Sequence, residues 1–212
     1  MVKVIVLGAH GQVAQLAEQM LFTDGDVQTT LFLRNAKRLA KDKDKATIIE
    51  GDTTNEAELE KAIAGQDIVY ANLGGTSTIV KQAEAVIEAM KKTGVKRLIW
   101  ISTLGIYDEV AGKFGEWNKS VLGNYITEYA KAAKKVEESG LDYTIIRPSW
   151  MTNKDKVDYQ KTKKGQPITN TEVSRKSVAS YIYKLIKKPD EDVQESIGLE
   201  KPGTQGNKPS WY

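Results

Sequence analysis

The stretch from Val2 to Ala14 constrains the fold of this chain more than any other. Val2, Val4, Ile5, Val6 and Leu7 form a short β-branched run, the signature of a strand buried on both faces. Gly8 and Gly11 break it, and helical spacing follows at once through Val13, Leu16, Ala17 and Met20. Strand, glycine turn and helix bring the free N–H groups of a helix N-terminus and the positive end of its dipole to one point. That geometry holds a dinucleotide pyrophosphate. Gly8 is expected to permit the tight turn, and Gly11 to let backbone approach the phosphates without a Cβ in the way. His10, Gln12 and Val13 belong to the same turn, and Ala14 is small enough for the helix to close on the strand. The pattern is Gly-x-x-Gly-x-x-Ala rather than Gly-x-Gly-x-x-Gly, so its weight comes from heading a long βα alternation.

That alternation is regular through the first hundred residues. A second strand reads Val27 to Leu33, and Asn35 is placed to cap a short helix after it. A third strand, Ala46 to Glu50, stops at Gly51-Asp52, and Asn55 is placed to cap the helix through Leu59, Ala62 and Ile63. The fourth strand, Asp67 to Asn72, is broken by Gly74-Gly75. Thr76 or Ser77 then opens a long helix ended by Gly94, and the fifth strand runs from Arg97 to Ser102. Short loops between alternating strands and helices predict an α/β, doubly wound parallel sheet in three layers, because right-handed crossovers leave few other arrangements.

The second half is less regular. Leu104 to Asn118 reads as a glycine-containing loop, Val121 to Ser139 as a helix ended by Gly140, and Tyr143 to Arg147 as a strand stopped by Pro148. Residues 150–172 form a polar, lysine-rich insertion beside the expected substrate site, with a turn at Gly165 and Pro167. A helix through Val178, Ile182 and Leu185, then a strand from Val193 to Leu199, complete a single domain spanning residues 1–200. Residues 201–212 are expected to be an irregular tail.

Composition excludes several functions. The chain has no cysteine, which removes disulfides, thiol nucleophiles and thiolate metal sites and makes the cytoplasm the expected location. One histidine, His10, cannot build a multi-histidine metal centre, so no metal is expected. Net charge is +3, from 31 basic and 28 acidic residues, so basicity gives no argument for nucleic acid. The lysine-rich runs 37–45 and 154–164 are interleaved with aspartate and nearly devoid of aromatic residues, which reads as a solvated face. No apolar run reaches membrane-spanning length. The expected partner is a small-molecule substrate, and a homodimer is admitted.

Ligands of doubly wound sheets lie at the carboxyl ends of the strands. After the second strand stands Arg34, with Lys37 and Arg38 behind it and no acidic residue. A guanidinium here pairs bidentately with a 2′-phosphate, which favours NADP(H) over NAD(H). Asp52 is placed to accept from an adenine amino group, or serves as an ordinary turn aspartate. Asn72 and Gly74 bring backbone near a ribose. Ser102 ends the fifth strand, with Tyr107 in the next loop and Tyr125 on the next helix. Phe114, Trp117 and Trp150 either wall a ring substrate or cover a small core of their own.

These elements together resemble one family. Gly8 to Ala14, Arg34, Gly51-Asp52, Ile101 to Gly105, Leu141 to Pro148 and Ser174 to Ala179 stand in the order found in atypical short-chain dehydrogenase/reductases. The chain is similar to their small NAD(P)H-binding, NmrA-like group, which includes flavin and biliverdin reductases. The resemblance implies a Rossmann fold, NADP(H) as cofactor, cofactor contacts extending to Ser102 and Pro148, and a site above Ser102 and the Pro148–Met151 turn.

One departure from the family pattern bears on chemistry. Fully equipped short-chain dehydrogenases pair a tyrosine with a lysine four residues later, which brings a phenol of ordinary pKa about 10 into working range. Four residues beyond Tyr125 and Tyr129 stand Tyr129 and Ala133. Tyr159 with Lys163 and Tyr183 with Lys187 have the spacing, but the first pair lies in the insertion and the second on the closing helix. Two functions follow. The chain is an NADPH-dependent reductase of a small quinone, flavin or carbonyl compound, with Ser102, Tyr107 and Tyr125 around the substrate. Alternatively, it is a non-catalytic, NADP-responsive regulatory protein of the NmrA-like kind.

Overall fold

In a computed structural model that describes residues 1–212, eight strands form one sheet in the order β3-β2-β1-β4-β5-β6-β10-β8. In chain order the strands are β1 (Val2–Leu7), β2 (Val27–Leu33), β3 (Thr47–Glu50), β4 (Ile68–Ala71), β5 (Arg97–Ile101), β6 (Asp142–Pro148), β7 (Trp150–Thr152), β8 (Gln160–Lys163), β9 (Glu172–Ser174) and β10 (Glu195–Glu200). The helices are α1 (Gln12–Phe22), α2 (Glu56–Ile63), α3 (Ile79–Thr93), α4 (Gly112–Leu122), α5 (Asn124–Glu137) and α6 (Arg175–Lys187), and a short 3₁₀ helix covers Ala36–Asp42. Every pairing in the large sheet is parallel except that of β8 with β10. A Rossmann-like, doubly wound sheet is the result.

The period of two along each strand divides the interior into two cores. Ile5 and Leu7 of β1, Val69 and Ala71 of β4, and Leu98 and Trp100 of β5 face one side, beneath α2, α3 and α5. Val4 and Val6, Ile68 and Tyr70, and Ile99 and Ile101 face the other, beneath α1 and α6. Strands covered on both faces need apolar residues at every position, which is why β1, β4 and β5 read as continuous apolar runs.

The strand order turns around at β1. From there β2 and β3 lie on one side and β4, β5 and β6 on the other, so the loops after β1 and β4 diverge and leave a crevice above their carboxyl ends.

Several boundaries differ from the sequence expectation for local reasons. Asn35 precedes the 3₁₀ helix without a side-chain cap bond. Thr78, not Thr76 or Ser77, precedes α3, and its hydroxyl donates to the Gly75 carbonyl at 3.2 Å. The expected loop 104–118 contains the start of α4. Gly112 and Gly115 disguise that helix, and Gly115 is required because a Cβ there would overlap the Val110 carbonyl. Gly123, at φ +48°, divides α4 from α5 where one helix was expected. Pro148 continues β6 opposite Leu199, and β10 starts at Glu195 because Asp192 and Gln194 take positive φ. Asn55 does cap α2, accepting from the Glu58 N–H at 3.3 Å.

A buried ion pair ties the irregular half to the sheet. Arg147 Nη1 donates to Glu109 Oε1 at 2.5 Å, with the two side chains 0% and 3% exposed. Arg147 Nε donates to Ser196 Oγ, and Nη2 donates to the carbonyls of Thr162 and Ser196. The Glu109 carboxylate also accepts from the N–H groups of Gly105 and Tyr107. The insertion is held separately by Glu200, which accepts from Thr162 Oγ1 and from the N–H groups of Thr169 and Asn170.

Glu18 on α1 is 2% exposed, and its Oε1 has no hydrogen-bond partner. Burial, reinforced by Asp42, pushes its carboxyl up to about 8, so the folded chain holds a proton that the unfolded chain releases near 4.5. Stability therefore falls as pH rises between those values and levels off above about 8. Urea denaturation from about pH 5.5 to 8 should show a decline of at most about 1.4 kcal/mol per pH unit from this group, and Glu18→Gln should flatten it. An unchanged slope in the variant would assign the decline to other groups.

Candidate functional site

A cleft of about 960 Å³ runs across the carboxyl ends of β1 to β5. At one end it is lined by Arg34, Asn35, Arg38, Gly51 and Asp52, beyond β2 and β3. Gly8, His10, Gly11, Gln12, Val13, Asn72 and Gly74 lie along its middle, over the β1–β4 crevice. Ser102, Tyr125, Tyr129, Met151 and Arg175 also line it. Adjacent strands lie about 4.8 Å apart, so the carboxyl ends of β2 and β5 are separated by roughly 14 Å.

The middle is built around Asn72. Its N–H donates to the Leu7 carbonyl at 2.9 Å, and its side-chain Oδ1 accepts from the Tyr70 hydroxyl at 3.3 Å. A Cβ on Gly8 would collide with the Asn72 carbonyl, and one on Gly11 with the Asn72 side-chain amide. The two glycines thus have a role the sequence did not show. They let the turn after β1 lie directly against β4, and Gly8 also needs its φ of +76°. Gly11 then precedes α1 with no side chain capping that helix, so its first N–H groups are offered to a ligand. His10 is exposed, and its carbonyl accepts from Gln15 Nε2 at 2.8 Å.

At the β2–β3 end, Asp52 Oδ1 accepts from the Thr54 N–H and hydroxyl, each at 2.8 Å, which leaves Oδ2 without a protein partner. Those two bonds, helped by Arg34, hold its carboxyl below the usual range. Glu58 stabilises the same loop by accepting from the Asp52 N–H at 2.7 Å. Arg34 and Arg38 line the cleft and form no ion pair, whereas Lys37 does not line it.

Ser102 sits at the end of β5, 4% exposed, and its Oγ has no partner. The Tyr125 and Tyr129 rings stack at 4.0 Å between centroids. Burial raises both phenols above their ordinary value, and no lysine acts in the opposite direction. Glu128, one turn from Tyr125, is paired to Lys131 at 2.7 Å and takes no part in the shift of Tyr125. Both hydroxyls are hydrogen-bond donors at neutral pH and not bases.

Two expected site residues lie elsewhere. Tyr107 does not line the cleft: its hydroxyl donates to Glu137 at 2.7 Å, and its ring packs against the Arg147 guanidinium. Pro148 is buried within β6, and Met151 meets the cleft in its stead. Phe114, Trp117 and Trp150 cover a separate small core with Leu104, Val110 and Ile168, so they are not a substrate wall. Sequence reasoning also missed lining residues. Arg175 lies far along the chain from the glycine turn and is brought in by β9, whose pairing with β7 also seats Met151, at the end of the turn that the family resemblance sets below the site. Thr78 and Gln82 line the cleft at the start of α3.

Residues 8–189 match the family described as NAD(P)H-binding. The chain belongs to that family. A Rossmann-fold NAD(P)-binding family protein from Shigella flexneri is 41% identical, over 99% of this chain and 98% of its own, with a TM-score of 0.86. A short-chain dehydrogenase/reductase (wide type) from Veillonella parvula, solved in complex with NADP, is 29% identical over 99% of each chain, with a TM-score of 0.90. Among curated proteins, the UPF0659 protein YMR090W of Saccharomyces cerevisiae is 27% identical over 98% of this chain and 95% of its own.

The site fits a dinucleotide: a turn bounded by two glycines, uncapped helix N–H groups, arginines without carboxylate partners and an orphaned hydroxyl. Gly11→Ala should force the Asn72 amide aside and weaken NADPH binding at least tenfold in a fluorescence titration. Gly25→Ala, where an added methyl meets nothing within 4 Å, should leave it unchanged. Equal affinities for the two variants would remove the Asn72 contact from the account.

Proposed function

We propose that this protein is an NADP(H)-preferring reductase of a small quinone, flavin or carbonyl compound, working in the cytoplasm. What carries the reading is the continuity of one cleft from Arg34 and Arg38 to Ser102 and Tyr125. Its volume is near the upper end of the about 300–1,000 Å³ typical of ligand sites, which leaves room for a second ligand beside the cofactor. Arg34 is the residue placed to read a 2′-phosphate.

A reduced nicotinamide dinucleotide bound in the cleft supplies a hydride. The chain binds and orients. The first turn of α1 and the Gly8–Gly11 turn hold the pyrophosphate, and Asp52 Oδ2 accepts from the adenine side. Ser102 Oγ and the Tyr125 hydroxyl donate hydrogen bonds to the oxygen of the acceptor. Reduction consumes a proton, and burial makes both phenols weak acids, so the proton that completes reduction comes from solvent. That suits an electrophilic ring, whose reduction relies on positioning.

The same raised phenols support a second reading, a regulatory protein that binds NADP(H) without turning it over. Catalysis separates the two. NADPH oxidation should be detectable with at least one of a panel of quinones, flavins and simple aldehydes, and Ser102→Ala should slow it about tenfold or more. Tight NADPH binding with no turnover on any of them would establish the regulatory reading. Separately, direct titration should show NADPH bound at least tenfold more tightly than NADH, from a charge-assisted contact of about 1.5–3 kcal/mol, with the preference erased in Arg34→Ala. A preference that survived the substitution would assign phosphate reading to another residue.

A further inference from the structure

One arginine of the cleft lies away from the end where a 2′-phosphate would be read. Its lining holds three arginines, Arg34, Arg38 and Arg175, against a single carboxylate, Asp52. Asp52 sits beside Arg34, at the β2–β3 end. Arg175 belongs to another part of the cleft, on the first residue of α6 and beside Met151.

Arg175 is poised but unpaired. Its Nη1 donates to the Met151 carbonyl at 3.0 Å and to Asn153 Oδ1 at 2.9 Å, both neutral acceptors that fix the direction of the side chain. Nε and Nη2 have no protein acceptor, and together they form the edge of a guanidinium that grips an oxyanion through two parallel bonds. Arg147, by contrast, is a structural arginine, with Nε, Nη1 and Nη2 all donating to protein acceptors. Burial lowers the Arg175 pKa with no carboxylate acting in the opposite direction, so this half-buried charge has only neutral protein partners. The same cleft contains the orphaned, buried Oγ of Ser102. A half-buried cation with a free fork and a hydroxyl without an acceptor are together what an anionic second ligand would satisfy.

We infer that Arg175 is a specificity residue for an oxyanion, a carboxylate or phosphate, carried by the molecule that binds beside the cofactor. Rings and carbonyl compounds bearing such a group are then preferred over their neutral counterparts. This rests on the reductase reading only in requiring a second ligand in the cleft. The other source of an oxyanion, the cofactor's own pyrophosphate, is separated by the experiment.

The test uses the full chain saturated with NADP⁺, which binds without turnover, and matched probes followed by calorimetry. FMN is compared with riboflavin for a phosphate, and 4-carboxybenzaldehyde with benzaldehyde for a carboxylate. The expected result is at least tenfold tighter binding of the charged member of one pair. That preference should be lost in Arg175→Gln and partly kept in Arg175→Lys, which retains the charge without the fork. NADPH titration of the same variants shows whether the cleft is intact, and Arg175→Gln should change that affinity less than threefold. No preference in the parent chain, or one that survives Arg175→Gln, overturns the assignment. So does a loss of NADPH affinity as large as the loss of probe affinity, which would give Arg175 to the pyrophosphate. Failure of the parent chain to bind NADPH at all would instead undo the cofactor reading itself.

Discussion

Everything at the upper edge of the sheet depends on how closely the turn after β1 can approach β4. That approach is set by two missing side-chain atoms, the Cβ positions of Gly8 and Gly11, whose space is taken by the carbonyl and side-chain amide of Asn72. With the turn seated, α1 begins beside β4 and its first N–H groups open on the crevice where the strand order reverses. The Tyr70 hydroxyl holds the Asn72 side chain from below, so a fully buried residue of the core fixes a polar atom at the surface of the cleft. Packing and binding are here one arrangement.

The other end of the cleft depends on a different kind of anchor. Arg147 and Glu109 are almost wholly buried and reach the loop after β5, the Thr162 carbonyl of β8 and the β10 backbone. Removing one member of such a pair leaves an uncompensated charge in the interior, at a cost of about 3–5 kcal/mol, although the pair itself need not stabilise more than apolar residues of the same volume. Its contribution is arrangement. By binding the N–H groups of Gly105 and Tyr107, Glu109 sets the path of the chain immediately beyond Ser102, and Tyr107 is drawn into this network and away from the cleft.

The fold was legible where one local signal sufficed. Strand-forming runs with sharp ends gave β1, β2, β4 and β5 to within a residue or so, and Asn55 marked the start of α2. Reading failed where a glycine served packing, as Gly115 does against Val110 within α4. Of the site, the portions following β1 to β4 could be read because each strand end announces itself. Arg175 could not, because its place comes from β7 pairing with β9, two three-residue strands about twenty residues apart with no periodicity to detect. Nor could sequence tell Tyr107 from Tyr125. Both follow β5, and only the partners of the first, Glu137 and Arg147, decide which one faces the cleft.

The single antiparallel strand has a consequence for how copies of this chain meet. β8 closes one margin of the sheet with Gln-Lys-Thr-Lys, whose lysines bridge to Asp192 and Glu195, and the opposite margin is the four-residue β3, ending at Glu50. Short strands bearing charge are poor templates for further pairing. The sheet is therefore finished at eight strands, and self-association by strand addition is opposed at both margins. Extension of the sheet into a second copy is thus disfavoured at each end, far from the crevice along its upper edge.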